Sequence, residues 1–189
     1  MKELLKQLEK SPVIPAARSP ESVRRAAESK AAVIFLLGGN ILTIPDMIRL
    51  AHDGGKKVII HLDLAEGLGR DESAVRWCVD VHKADGVIST RPSLLKAASE
   101  LGAITIQRLF LMDSTSFEHG KRMLKNTPPD MAEVLPGIAP KAIRQLCEAL
   151  DKPVIAGGLV TEAREIALAL QAGASAVSVG DEKLWNLQL

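Results

Sequence analysis

The sequence predicts a compact (β/α)8 barrel, a TIM barrel, with one extra helix at its N-terminus. Eight short apolar runs recur along the 189 residues, and segments with helical periodicity separate them. This alternation indicates a parallel sheet that is covered by helices. Eight strand–helix units of about 23 residues each are just sufficient to close a barrel. We expect a single domain over residues 1–189.

The predicted strands are the near-continuous apolar runs. They are Val13–Ala17, Ala32–Leu37, Val58–Leu64, Gly86–Ser89, Ile104–Leu111, Met131–Leu135, Pro153–Ala156 and Ala176–Val179. An open doubly wound sheet is the alternative fold. It requires a glycine-rich turn after the first strand, where this chain has Ala16-Ala17-Arg18-Ser19-Pro20.

The predicted helices carry recognisable start and end signals. Residues 1–10 place Leu4, Leu5 and Leu8 on one side of a helix, and we expect this helix to close the bottom of the barrel. Later starts are marked by Ser19-Pro20-Glu21, Pro45, Pro92, a capping box over Thr115–Glu118, and Pro140. Glycines mark several helix ends, at Gly54-Gly55, Gly102 and Gly173.

The amino-acid composition argues against several classes of protein. The hydrophobic share is 47% and the charged share 25%, and no apolar run approaches the length of a membrane span. Cys78 and Cys147 lack zinc-finger spacing and suit a reducing cytoplasm. A net charge of +1 and an aromatic share of 3% give no sign of a dedicated nucleic-acid surface. We therefore expect a cytoplasmic protein without a metal or cofactor.

The ends of strands seven and eight predict a phosphate site. Strand seven runs into Gly157-Gly158, and strand eight ends in Ser178-Val179-Gly180. Glycine lets an anion approach the backbone closely, and the helix that follows adds its positive N-terminal end. Phosphate sites in barrels of this kind often lie after these two strands. The alternative is that Gly157-Gly158 only forms a tight turn.

Polar residues at the other strand ends predict the rest of the ligand site. They are Arg18, His61, Asp63, Glu66, Arg91, Gln107, Arg108 and Glu133. Alternation along the strands predicts that His61 and Asp63 share one face, and that both point into the barrel with Gln107 and Glu133. A phosphorylated polyol would fit a phosphate cradle beside these acceptors. The alternative is an ion-pair network that only stabilises the barrel.

The sequence lacks a complete catalytic set. No strand ends in the lysine that a Schiff-base aldolase needs. The pair His61 and Asp63 could ligate a divalent ion and looks like the strand motif of ribulose-phosphate epimerases, but further ligands are missing. Ala156 also stands where those enzymes carry an aspartate before the glycine pair. A phosphosugar isomerase, epimerase or lyase remains the alternative function.

Five ordered motifs resemble the glycerol-3-phosphate-responsive antiterminators. They are His61–Leu68, Asp85–Arg91, Ile106–Ser114, Glu133–Ile138 and Ile155–Leu159. The resemblance covers about residues 8–187. It implies a (β/α)8 protein without required catalysis that senses glycerol 3-phosphate. It also implies binding to the leader RNA of a glycerol-uptake operon, which prevents termination.

The surface that would contact RNA is not evident from the sequence. The candidate basic positions are Lys2, Lys6 and Lys10, then Arg24 and Arg25, then Lys121, Arg122 and Lys125. Each group is equally well explained as the solvated face of a helix. The oligomeric state is open as well, with a homodimer as one option.

Overall fold

Eight parallel strands close into a barrel in chain order, with β8 paired to β1. The structure is a computed structural model that describes residues 1–187, so the last two residues of the predicted domain lie outside the described residues. The strands are β1 Val13–Ala17, β2 Val33–Leu36, β3 Lys57–His61, β4 Gly86–Ser89, β5 Ile104–Phe110, β6 Met131–Leu135, β7 Val154–Gly157 and β8 Ala176–Val179. The predicted fold class is confirmed.

One helix precedes the first strand, and seven connect successive strands around the outside of the barrel. They are α1 Lys2–Lys10, α2 Pro20–Ala27, α3 Ile44–Asp53, α4 Glu72–Arg76, α5 Pro92–Glu100, α6 Ser114–Asn126, α7 Pro140–Ala149 and α8 Ala163–Gln171. The α4 segment continues as a π-helix over Trp77–Val81. No helix within residues 1–187 is long and apolar enough to cross a membrane.

One predicted helix cap is wrong. The capping box of α6 is formed by Asp113 and Ser116, two residues before the predicted Thr115–Glu118 box. The Asp113 carboxylate accepts the Ser116 N–H, and the Ser116 hydroxyl accepts the Asp113 N–H. Aspartate is at least as favourable as threonine at the N-cap position, so the helix is capped at Asp113 rather than at Thr115.

Side-chain alternation along the strands divides the core into an inner and an outer cluster. The inner cluster fills the barrel and includes Ile14, Phe35, Ile59, Ile88, Ile106 and Ile155. Leu4 and Leu8 of α1 belong to this inner cluster, so α1 closes the barrel as expected. The outer cluster packs the strands against the surrounding helices.

The third strand is shorter than predicted. It ends at His61, and Leu62–Leu64 form a 3-10 turn. The chain leaves the ladder because the Asp63 carboxylate turns toward the end of β4, where it accepts the Thr90 N–H at 2.7 Å and the Ser89 hydroxyl at 3.0 Å. The prediction that His61 and Asp63 share a strand face is therefore wrong.

Two aspartates join the amino ends of neighbouring strands. Asp85 precedes β4 and accepts the Val58 N–H of β3 at 2.9 Å, with His52 Nε2 at 3.0 Å from the same oxygen. Asp130 precedes β6 and accepts the Thr105 N–H of β5 at 2.9 Å. Each carboxylate satisfies a strand-end donor that the ladder leaves unpaired. This end of the barrel therefore serves stability.

We expect Asp85→Asn to destabilise the fold by about 1–3 kcal/mol, since it weakens a partly buried charged hydrogen-bond cluster. Burial would raise the pKa of Asp85, but hydrogen bonds from the Val58 N–H, His52 and Lys57 lower it below its ordinary value of 3.8. The contribution is therefore full above that value and is lost as pH falls through the lower folded-state pKa.

Urea unfolding of the wild type and of Asp85→Asn between pH 3 and 7 measures this difference in the free energy of unfolding. The matched control is Asp46→Asn, which removes an exposed ion pair within one helix and should change stability by less than about 0.5 kcal/mol. Equal effects of the two substitutions would contradict the assignment.

Candidate ligand site at the carboxyl ends of the strands

A cavity of about 290 Å³ opens at the carboxyl ends of β1, β7 and β8. It is lined by Ala16, Arg18, Leu37, Arg108, Glu133, Leu135, Gly158, Leu159, Val160, Thr161, Ser178, Gly180 and Asp181. The predicted residues that it brings together are Arg18, Arg108, Glu133, Gly158, Ser178 and Gly180. A larger groove of about 620 Å³ lies on the outer wall between α6 and α7 and contains none of the predicted site residues.

The loops after β7 and β8 supply backbone donors to this cavity. Gly158 and Leu159 both have positive φ, at 79° and 61°. The Gly158 carbonyl accepts the Gly137 N–H at 3.0 Å, which anchors the loop. Within residues 1–187, the N–H groups of Gly158, Leu159, Val160, Gly180 and Asp181 donate no hydrogen bond to the protein. These two short segments can therefore donate to an anion.

Arg18 provides a cation at the same cavity. Its side chain is exposed and forms no ion pair within the described part of the chain. Its backbone N–H donates to the Ser22 hydroxyl at 2.9 Å, which ties the end of β1 to the start of α2. The charge is thus held at the rim and remains available to a ligand.

A buried network forms the floor of the cavity. Arg108 Nε donates to Glu133 Oε2 at 2.7 Å, and the Ser178 hydroxyl donates to Glu133 Oε1 at 2.7 Å. Glu133 is 1% exposed and Arg108 7% exposed. A buried carboxylate is tolerated only with such partners. The network therefore links β5, β6 and β8 across the barrel interior.

Gly157 serves this network rather than the cavity. A Cβ at Gly157 would lie 2.7 Å from Glu133 Oε1 and would also collide with the Ser178 hydroxyl. The missing side chain makes room for the Glu133–Ser178 hydrogen bond. Gly157 does not line the cavity, and neither does Val179, which is buried against the helices.

The helix after β7 does not offer its first amides to the cavity. The Glu165 carboxylate accepts the N–H groups of Thr161, at 2.7 Å, and Glu162, at 3.0 Å. Glu165 thus occupies the two amides just before α8, and none of the residues that line the cavity belongs to α8 itself. The donors come instead from the loop residues Leu159 and Val160, which sequence reasoning missed. The sequence signal that could have identified them is their position directly after Gly157-Gly158.

A second polar cluster lies at the ends of β3 and β4. His61 is 3% exposed, and its Nδ1 lies 3.9 Å from Asp63 Oδ2. Arg91 is half-exposed, with Nε 3.6 Å from Asp63 Oδ1. Burial, together with the positive charge of Arg108, lowers the pKa of His61 to about 4 against the opposing effect of Asp63. His61 is therefore neutral near pH 7.

Two predicted site residues lie elsewhere. Gln107 was expected to point into the barrel, and that is wrong: it shares a strand face with Leu109, which packs in the outer cluster. Its amide nitrogen donates to the carbonyls of Ser89 and Arg108, both at 3.2 Å. Glu66 has an exposed side chain, and its backbone N–H donates to the Gly39 carbonyl at 3.0 Å.

The structure gives no metal centre among residues 1–187, where no group of three or more His, Cys, Asp and Glu side chains could hold an ion. His61 and Asp63 are the pair that the sequence offered for one. The rest of this cluster consists of Ser89, Thr90 and Arg91, of which Arg91 is a cation.

A family model described as glycerol-3-phosphate responsive antiterminator matches residues 13–185 of the chain. The chain is also 38% identical over 184 residues to a protein of Escherichia coli (strain K12), named uncharacterized protein YgcP. That match covers 97% of this chain and 96% of the relative.

Solved structures with the same fold include two proteins at comparable identity. The glycerol uptake operon antiterminator regulatory protein of Listeria monocytogenes is 32% identical, with a TM-score of 0.87 and coverage of 92% of this chain and 94% of that one. A glycerol uptake operon antiterminator-related protein of Thermotoga maritima is 31% identical, with a TM-score of 0.82 and coverage of 93% and 98%.

A third solved structure is the orotidine 5'-phosphate decarboxylase of Pyrococcus horikoshii. It is 21% identical, with a TM-score of 0.67 and coverage of 89% of this chain and 88% of that one. At that identity the likeness concerns the barrel fold alone.

We expect Gly157→Ala to destabilise the protein by about 1–3 kcal/mol, because the added methyl must displace Glu133 or Ser178 in a packed interior. Gly180→Ala is the matched control, since a Cβ at Gly180 meets no atom within 4 Å. Thermal unfolding of both variants measures the difference. Equal melting temperatures would contradict the packing role of Gly157.

Proposed function

This chain belongs to the glycerol-3-phosphate responsive antiterminator family, and on that premise we propose that it is a ligand-gated regulator of transcription. In this proposal it senses glycerol 3-phosphate and, in response, binds a leader RNA in the cytoplasm so that transcription continues. Ligand would favour the RNA-competent state of a two-state equilibrium.

The observation that carries the sensing step is the set of donors at one cavity. Arg18 has no acidic partner there within residues 1–187, and five backbone N–H groups after β7 and β8 have no acceptor in the protein. Backbone donors together with an arginine are typical of phosphate recognition. The candidate phosphate contacts are therefore Arg18, Gly158, Leu159, Val160 and Gly180.

The size of the cavity limits the ligand. A volume of about 290 Å³ lies at the low end for small-molecule sites and suits a compound of a few heavy atoms better than a nucleotide. A three-carbon phosphate meets this limit.

The floor of the cavity favours binding over catalysis. Two carboxylates line the cavity. Both oxygens of Glu133 accept hydrogen bonds, from Arg108 and Ser178, and Asp181 Oδ1 accepts the Lys183 N–H. A general acid or base must be free to exchange a proton with the substrate. A phosphosugar isomerase, epimerase or lyase would need to break this network first, so it is the weaker candidate.

RNA binding rests on family membership. Of the basic helix positions, Arg25 forms an ion pair with Glu182 and Lys121 one with Glu118. Those pairs reduce the positive potential of two of the three candidate patches. The net charge of +1 predicts modest, salt-sensitive retention rather than tight non-specific binding.

We expect Arg18→Ala to weaken glycerol 3-phosphate binding by roughly 10- to 100-fold, the effect of losing one charge-assisted contact. Isothermal titration calorimetry measures the affinity. Arg24→Ala removes an exposed arginine on α2, away from the cavity, and should leave the affinity unchanged. Unchanged affinity in Arg18→Ala would place the phosphate elsewhere.

We expect glycerol 3-phosphate to increase retention of the leader RNA at fixed salt, because ligand favours the RNA-competent state. Filter binding with and without ligand measures this, and Arg18→Ala should need a correspondingly higher ligand concentration. Retention that is independent of ligand at every salt concentration would contradict the regulatory proposal.

A further inference from the structure

Two buried side-chain atoms lack a hydrogen-bond partner within residues 1–187. They are His61 Nδ1 and Asp63 Oδ1, and they belong to neighbouring side chains at the barrel mouth. Buried polar groups in native proteins are almost always hydrogen-bonded, so each exception calls for a physical cause. Both residues lie at the mouth outside the loops after β7 and β8, and neither lines the cavity itself.

His61 occupies the interior wall beside the cavity. It follows Ile59 and Ile60 on β3, and Ile59 belongs to the inner cluster, so the His61 side chain also faces inward. Its neighbour on β2 is Leu37, because Leu36 pairs with Ile60 in the ladder. Leu37 lines the cavity. A ligand anchored at β7 and β8 would extend across the mouth toward this ring.

Asp63 can fix which ring nitrogen of His61 carries the proton. Its Oδ2 is held in place by the Thr90 N–H and the Ser89 hydroxyl, and it lies 3.9 Å from His61 Nδ1. That distance is too long for a hydrogen bond. A modest rotation of the imidazole ring brings Nδ1 within hydrogen-bonding distance of the carboxylate, and contacts of this kind often shorten when a ligand binds. The carboxylate accepts only, so Nδ1 must carry the hydrogen.

A neutral ring with hydrogen on Nδ1 has a lone pair on Nε2. His61 is neutral near pH 7, because its pKa is lowered to about 4. Nδ1 is sealed from solvent, so the polar contact left for a ligand is at Nε2. That atom accepts hydrogen bonds and donates none.

We infer that His61 Nε2, with its lone pair set by Asp63, recognises the secondary hydroxyl on the central carbon of the ligand and selects a phosphorylated polyol over the ketone that carries a carbonyl at that carbon. A hydroxyl donates its proton to Nε2, whereas a carbonyl oxygen places its lone pairs against the lone pair of the ring. Arg108 donates equally well to either oxygen and does not discriminate. This inference rests on the proposed sensing of a small organic phosphate. It adds that the protein distinguishes the alcohol from the more oxidised ketone.

Calorimetric titration of the full chain with glycerol 3-phosphate and with dihydroxyacetone phosphate tests the inference. We expect the wild type to prefer the alcohol by roughly 10- to 100-fold, the effect of one unmatched buried hydrogen bond. In Asp63→Ala the ring loses the carboxylate that holds the hydrogen on Nδ1, so the preference should fall toward equal affinity for the two compounds.

Two further variants separate recognition from folding. His61→Gln keeps a polar side chain that both donates and accepts, so it should bind both compounds within about threefold of each other. Glu66→Gln is the control, since it removes an exposed carboxylate from the same segment and should keep the wild-type preference. In the wild type, nitrogen NMR of the His61 ring should show hydrogen on Nδ1.

The outcomes are distinguishable. Equal affinity of the wild type for the two compounds, hydrogen on Nε2, or an unchanged preference in His61→Gln would each overturn the hydroxyl-recognition role while leaving the sensor proposal intact. Failure of the wild type to bind glycerol 3-phosphate, dihydroxyacetone phosphate or inorganic phosphate would overturn the sensor proposal and this inference together.

Discussion

The hydrogen-bonded group of Arg108, Glu133 and Ser178 is the constraint on which the ligand site depends. Two opposite charges lie inside a barrel beside an apolar inner cluster, and neither charge could be buried without the other. Their contact sets β5, β6 and β8 relative to one another and requires a glycine at position 157. It also pairs the buried acid Glu133 with Arg108, while Arg18 forms no ion pair within residues 1–187. The barrel interior thereby leaves a cation and backbone donors exposed at the mouth.

The two sides of the mouth have different chemistry because different loops close them. The loops after β7 and β8 present backbone N–H groups, which suit an anion. The ends of β3 and β4 present His61 and Asp63, which suit a hydroxyl group. A small phosphorylated alcohol bound at the loops after β7 and β8 would have to extend across the mouth to meet both sides. The opposite end of the barrel carries α1 and the aspartate contacts between strands, and it contributes stability alone.

Sequence patterns predicted the fold and the family because both depend on many residues at once. Eight apolar runs located every strand to within a few residues, and the resemblance carried by five motifs is confirmed by the family match over residues 13–185. The individual errors share one cause. Alternation predicts the direction of a side chain only while the strand continues and only if it is known which residues of that strand face inward. The first condition failed for Asp63, which follows the end of β3, and the second failed for Gln107 on β5. Likewise, the role of Gly157 depends on side chains from two other strands, which are distant in sequence.

We propose that this barrel binds a small organic phosphate at the ends of β7 and β8 in order to sense it. A crystal structure of the protein with glycerol 3-phosphate shows where the phosphate lies. We expect phosphate density against the backbone of Gly158 and Gly180 and beside Arg18, with the glycerol hydroxyls directed toward His61. Phosphate bound in the groove between α6 and α7, or at any site away from the cavity, would contradict it.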